Sequence, residues 1–275
     1  MHTLFVVGTP IGNLEDITLR ALRVLKAAGL IAAEDTRKTR VLLDHFQIHT
    51  RLTSYFEHNK LGKLETILGA LEQHDVALVS EAGMPGLSDP GYELIRAALA
   101  RDVPVVVVPG PSAVISALVG SGLPTDQFVF VGFLPRKRGE RQAFLRSIAH
   151  EPRTLVAYEA PHRVLESLRD LRAVLGNRPA CIARELSKLH EEFVRGTLDE
   201  VLAHFAAHAP RGEFTFVVGG APAGAAHWDE PAILAQLQRL LDEGWTSQAA
   251  IRVVGEQSGR SKREVYALWL KMAES

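Results

Sequence analysis

A chain of 275 residues can bury a sizeable core, and its length fits two domains better than one. Its composition, 47% hydrophobic and 23% charged, is that of an ordinary soluble globular protein, and a single cysteine, Cys181, excludes an intrachain disulfide framework and fits a reducing compartment. With 31 basic against 32 acidic side chains the net charge is near zero, which excludes a wholly basic coat but leaves room for a local nucleic-acid patch.

The chain runs from Met1 straight into a strand at 4–7, with no basic and then apolar leader, so no signal peptide is expected. The loop 8–13 (GTPIGN) follows, then a helix with Leu19, Leu22 and Leu25 on one face, closed by Gly29. A strand at 30–33 precedes a basic-tipped helix at 36–45, and Leu61, Leu64, Ile67, Leu68 and Leu71 have the spacing of a helix core face. Strands at 76–79 and 103–108 each lead into a loop rich in glycine and proline, and neither these nor any other apolar run is long enough to span a bilayer. Near-continuous apolar strands alternating with helices predict a mainly parallel sheet covered on both faces.

After a strand at 128–131 comes a polar stretch at 135–141 (PRKRGER), and the strand–helix rhythm then restarts. Strands are expected at 153–158, 180–184 and 213–218, with Pro161 opening the helix that carries Val164, Leu168, Leu171 and Leu175. The stretch 197–200 (TLDE) has the form of a capping box, as does 261–264 (SKRE). From 221 the composition becomes that of a linker, and three short helices follow in a small bundle of helix-turn-helix type, with Trp245 and Trp269 expected in its core. The expected organisation is therefore an α/β domain at 1–132, a second α/β domain at 133–222 and a helical tail at 230–275.

Ligands of open α/β sheets bind beyond the carboxyl ends of the strands. Three such loops here, 8–13, 80–91 and 109–113, combine glycine, proline and small side chains, which permits close backbone approach to a ligand. None has the dinucleotide or phosphate-loop glycine pattern, and no zinc-hydrolase or serine-hydrolase motif is present. No metal-ligand spacing appears, so no metal is expected.

Seven segments occur in order: 7–14 (VGTPIGNL), 32–37 (AAEDTR), 80–85 (SEAGMP) with 88–91 (SDPG), 108–112 (VPGPS), 132–135 (GFLP), 158–163 (YEAPHR) and 183–188 (ARELSK). Together they resemble the small-subunit ribosomal RNA 2′-O-ribose methyltransferases of the tetrapyrrole methylase superfamily, over nearly the whole chain. The resemblance implies two α/β domains with a cleft between them and a helical tail. It also implies S-adenosylmethionine as cofactor, a homodimer, and methylation of a cytidine ribose in 16S ribosomal RNA of the small ribosomal subunit. Carried over by position, cofactor contacts come from Pro10, Ile11, Ala82, Gly83, Pro85, Leu87, Ser112 and Ala113. Leu134, Tyr158 and the strand residues Glu213, Phe214 and Thr215 complete them. The family usually has aspartate and threonine where this chain has Glu81 and Met84; a methionine there can pack against an adenine or a sulfonium.

A ribose hydroxyl is a poor nucleophile, so a general base or a positioned cation should act on its proton. The candidates are Glu34 and Asp35, Glu57 and His58, and Glu185 with Lys188, of which Asp35 and Lys188 are favoured as catalytic residues. Asp35 serves equally as a helix cap or a partner of Arg37, and Glu185 with Lys188 as an ordinary ion pair. Arg136, Lys137, Arg138 and Arg141 are the best local set for RNA phosphate contact, with a solvated loop as the plain reading. Two other functions compete: methylation of a tetrapyrrole such as a corrin precursor, and nucleic-acid binding without catalysis. The protein is expected in the cytoplasm.

Overall fold

The computed structural model describes residues 2–56, 59–222 and 228–273. The first sheet takes β1 (Leu4–Val7), β2 (Leu30–Ala33), β3 (Leu52–Ser54), β4 (Val76–Val79) and β5 (Val105–Val108). Between them lie α1 (Leu19–Ala27), α2 (Thr36–His45), α3 (Lys60–Ala70) and α4 (Tyr92–Leu99), and α5 (Ala113–Ser121) follows β5. The second sheet uses β6 (Phe128–Phe133), β7 (Thr154–Glu159), β8 (Pro179–Arg184), β9 (Glu192–Thr197) and β10 (Phe214–Val218), with α6 (Arg138–Ser147), α7 (Val164–Leu175) and α8 (Leu198–Ala207). The tail is α9 (Glu230–Asp242), α10 (Ser247–Ser258) and α11 (Lys262–Ala273).

The first sheet is wholly parallel in the order β3-β2-β4-β1-β5. Its central strands are apolar on both sides because both faces are covered. Leu30, Ala32, Val76 and Leu78 point to the layer holding Ile67, Leu68 and Leu94, while Ile31, Ala33, Ala77 and Val79 point to the layer holding Val24, Leu25 and Leu43. Gly29 does end α1, but not through a left-handed turn. It lacks a positive φ, and a Cβ there would come 2.4 Å from the His74 ring.

The second sheet, ordered β6-β7-β10-β8-β9, is mixed: β6 and β7 are parallel and every other pair is antiparallel. One face packs against α6, α7 and α8. The other is covered by α5, whose Val114, Ala117 and Leu118 lie on Val156, Cys181, Ala183 and Val217. The helix that leaves the first sheet thus roofs the second. Because β6 pairs with β7, the changeover falls before residue 128, ahead of the boundary expected at 133.

Three further readings are revised. A helix at 138–147 takes in the second half of the polar stretch 135–141, whose plain reading was a solvated loop, and Arg141 is fully buried on that helix. Trp245 is 45% exposed rather than in the tail core, while Trp269 is partly buried against it and stacks on Tyr266. The edge strands β3 and β9 carried no strand expectation. Both capping boxes form: Thr197 with Glu200, and Ser261 with Glu264. The tail has its own core of Ile233, Leu237, Ile251, Val254, Val265 and Leu268. Of the linker, residues 223–227 lie outside the described residues.

Candidate active site

The loops after β1, β4 and β5 are tied together before any ligand is considered. Thr9 and Gly83 exchange backbone hydrogen bonds of 2.9 and 3.0 Å, and Gly83 takes a φ of +80° to do so. Gly8 and Gly110 pass so closely that a Cβ on Gly8 would lie 2.8 Å from the Gly110 Cα and 2.7 Å from the Met84 sulfur. Small residues here are a packing requirement of the loop cluster itself.

Between this cluster and the second sheet lies a cleft of about 370 Å³, within the size range of small-ligand sites. Ile11, Ala82, Gly83, Leu87, Ser112 and Ala113 line it from the first half, and Tyr158, Glu213, Phe214 and Thr215 from the second. Pro10, Pro85 and Leu134 are not on its wall; Pro85 and Leu134 are buried, and Leu134 belongs to the second domain's core. The wall also carries residues the sequence did not assign to the cofactor: Glu34, Glu81, Met84, Ser88, Asp89, Phe133, Glu159, Ala160, Pro161 and Leu186.

Five of these wall residues are carboxylates. Glu34 accepts the Glu81 amide at 3.0 Å, and burial followed by the nearby Glu81 charge holds its acid above the ordinary glutamate range. Glu81 is paired with Lys38. Glu159, fully buried, is bonded by Ser167 and faces Arg163 at 3.3 Å. Glu213 receives the Lys188 ammonium at 2.9 Å. Asp89 is pushed up to about 7, first by burial and then by the Glu34 charge, with a Ser80 hydroxyl opposing the shift. Tyr158 is pushed up to about 12 by burial and by the charge of Asp89, so it keeps its proton.

The favoured catalytic pair does not stand in the cleft. Asp35 is not on the wall: its carboxylate caps α2 through the Arg37 and Lys38 amides and grips the Arg37 guanidinium at 3.0 Å. Hydrogen bonds from Arg37 hold it down at about 2, which makes it a poor proton acceptor. Lys188 is bonded to both Glu185 and Glu213 at 2.9 Å; burial alone would lower its ammonium, but the two glutamates hold it above the usual lysine value. It is therefore a fixed cation at the cleft edge. Glu57 and His58 lie outside the described residues.

The basic set divides. Arg136, Lys137 and Arg138 are exposed, but Arg141 is fully buried, with Nη2 at 2.7 Å from Asp170, and is removed from the phosphate-contact set. No group of three or more histidine, cysteine or acidic side chains among the described residues is placed to hold a metal ion. No helix among them is long and apolar enough to cross a membrane.

Comparison with known proteins fits this geometry. The family model for tetrapyrrole (corrin/porphyrin) methylases matches residues 3–202. A protein of Synechocystis sp. named ribosomal RNA small subunit methyltransferase I is 46% identical over 99% of both chains. A protein of the same name from Micromonospora olivasterospora is 48% identical over 96% of this chain and 85% of its own. Among solved structures, the uroporphyrin-III C-methyl transferase of Thermus thermophilus complexed with S-adenyl homocysteine superposes with a TM-score of 0.57 at 25% identity, covering 80% of this chain and 97% of that one. The chain belongs to the tetrapyrrole methylases and, within them, to the ribosomal RNA small subunit methyltransferase I family.

Proposed function

We propose that this methyltransferase binds S-adenosylmethionine in the interdomain cleft and methylates the 2′-hydroxyl of a cytidine in the small-subunit ribosomal RNA. The observation that carries the reading is the cleft itself, apolar over Ile11, Ala82, Leu87, Ala113 and Phe214 and carrying Glu34, Glu81 and Glu213 on its wall. That donor set fits the cofactor: apolar walls suit an adenine, carboxylates accept from ribose hydroxyls, and negative charge favours an ammonium and a sulfonium. Gly83, on the wall with a φ of +80°, leaves the backbone there open to close approach. When bound, the cofactor supplies an already activated methyl group, and what remains for the protein is mainly alignment and handling of the acceptor's proton.

The exposed Arg136, Lys137 and Arg138 lead into the N-terminus of α6 a few residues after Phe133 of the cleft wall, so phosphate held there would bring the RNA backbone near the cleft. Exposed Leu19, Ile115 and Leu189 adjoin Thr18, Ser116 and the 186–187 segment, which line a common hollow. This apolar rim is the face we assign to a homodimer. The reading places the protein with ribosomes in the cytoplasm.

The test is transfer of labelled methyl from S-adenosylmethionine to small ribosomal subunits from cells lacking the protein, with the modified nucleoside identified by mass. A 2′-O-methylated cytidine is expected. Transfer to a tetrapyrrole but not to subunits would replace this reading with a small-molecule methylase.

A further inference from the structure

Four of the five carboxylates on the cleft wall are engaged by main-chain or charged groups: Glu34 by an amide, Glu81 by Lys38, Glu159 by Ser167 and Arg163, and Glu213 by Lys188. Asp89 is the fifth. Among the described residues its recorded partner is the Ser80 hydroxyl, and no ion pair reaches it. The backbone on its N-terminal side is held in a costly shape, with Ser88 at a φ of +63°, in the left-handed region that a non-glycine residue seldom adopts. Gly132 of β6 lies opposite this turn, a Cβ there falling 3.4 Å from the Ser88 hydroxyl oxygen. A loop with a strained residue thus puts on the cavity wall a carboxylate that has no cationic partner among the described residues.

We infer that Asp89 is the general base that receives the proton of the acceptor hydroxyl, an assignment that rests on the proposed RNA reading. In the step, the ribose 2′-oxygen forms its bond to the methyl carbon as the carbon–sulfur bond breaks, with the bond pair passing to sulfur. The O–H proton moves to an Oδ of Asp89 and is later released to water. Positive sulfonium becomes neutral thioether and carboxylate becomes carboxylic acid, so charge and atoms balance.

The surroundings decide why Asp89 and no neighbour takes this part. Facing it are Glu34 from the end of β2, Glu81 of its own loop with the attached Lys38 of α2, and Tyr158 of β7, while Glu159 and Glu213 stand on the same wall. Burial and the Glu34 charge give its carboxylate a proton affinity near neutrality, where a base is both ionised and able to accept. Tyr158 holds its proton too tightly, and Lys188 remains an ammonium.

The test uses the full chain as wild type, Asp89→Asn and Asp89→Glu. Single-turnover transfer to small subunits is measured from about pH 5.5 to about pH 9. Binding of S-adenosylhomocysteine is followed by calorimetry, and carboxyl carbon resonances of the cofactor-free protein are titrated. The wild-type rate is expected to rise through about pH 7 and level off. Asp89→Asn should lose about 100-fold or more in rate and its pH dependence, keep S-adenosylhomocysteine affinity within about threefold, and remove one carbon signal titrating near neutrality. Asp89→Glu should recover part of the rate. Asp89→Asn acting at the wild-type rate with an unchanged profile would overturn the assignment while leaving the RNA reading intact, because wild type still forms the product. Loss of S-adenosylhomocysteine binding in proportion to rate would also overturn it, in favour of a cofactor-holding role. No 2′-O-methylcytidine from wild type would end both.

Discussion

Ser80 is buried at the end of β4, and its hydroxyl lies 3.3 Å from the Ala82 carbonyl while also supporting the Asp89 carboxylate. Ser80→Ala removes the one influence that opposes the upward shift of Asp89, so the rising limb of the pH–rate profile should move to higher pH. A stability effect follows with a definite sign. The folded carboxyl titrates near 7 and the unfolded one near the ordinary aspartate value, so between the two the native state holds more protons and stability falls as pH rises. Asp89→Asn should therefore melt a few degrees above wild type at about pH 8, a gain of roughly 2 kcal/mol once solvent screening is allowed for, and the gain should vanish below about pH 4. Equal melting temperatures throughout would contradict the burial of this charge. The loop 80–91 was legible as a ligand loop but Asp89 within it was not, because glycine, proline and small side chains do not show which polar group turns inward; the fold puts this carboxylate on the cleft wall. For Asp35 the sequence offered two roles. A carboxylate just past a strand end is equally the natural cap of the next helix, and here the cap is what forms.

At the scale of elements, the central strands were legible because double-sided burial demands unbroken apolar runs, as in Leu30–Ala33 and Val76–Val79. The missed strands, Leu52–Ser54 and Glu192–Thr197, lack such a run: the first is only three residues long, and the second (EFVRGT) mixes charged and apolar side chains with a glycine on a sheet edge. The helix Arg138–Ser147 was hidden by its charge, since Arg141 reads as surface yet meets Asp170 of α7 inside the domain. That contrast separates two arginines experimentally. Arg141→Ala leaves Asp170 buried without its main partner and should destabilise the fold by about 3–5 kcal/mol, read from denaturant unfolding. Arg136→Ala should leave unfolding unchanged, weaken binding to subunits, and flatten the dependence of that binding on salt by about one unit of slope. If Arg136→Ala and Arg141→Ala destabilised equally, the division between surface and core drawn here would be wrong.

Over the whole molecule, the family body and the tail are separable in composition and in packing. The tail's apolar residues close on one another, and its recorded approach to the body includes Gly259, where a Cβ would come 2.4 Å from His150. A chain ending at residue 222 is therefore expected to fold and to bind S-adenosylhomocysteine as the full chain does; failure to fold would show that the body needs the tail. The loops of the cleft were legible from glycine, proline and small residues, but the partnership of the two sheets was not. No local pattern announces that Ala113–Ser121, which follows a strand of the first sheet, packs on the second. The most direct test of the cleft as the meeting place of methyl donor and RNA is to fill it. Ala82→Trp should bind no S-adenosylhomocysteine and place no methyl group on small subunits, while wild type labels a cytidine 2′-oxygen and both proteins melt alike. Full transfer by a folded Ala82→Trp protein would put the chemistry somewhere else.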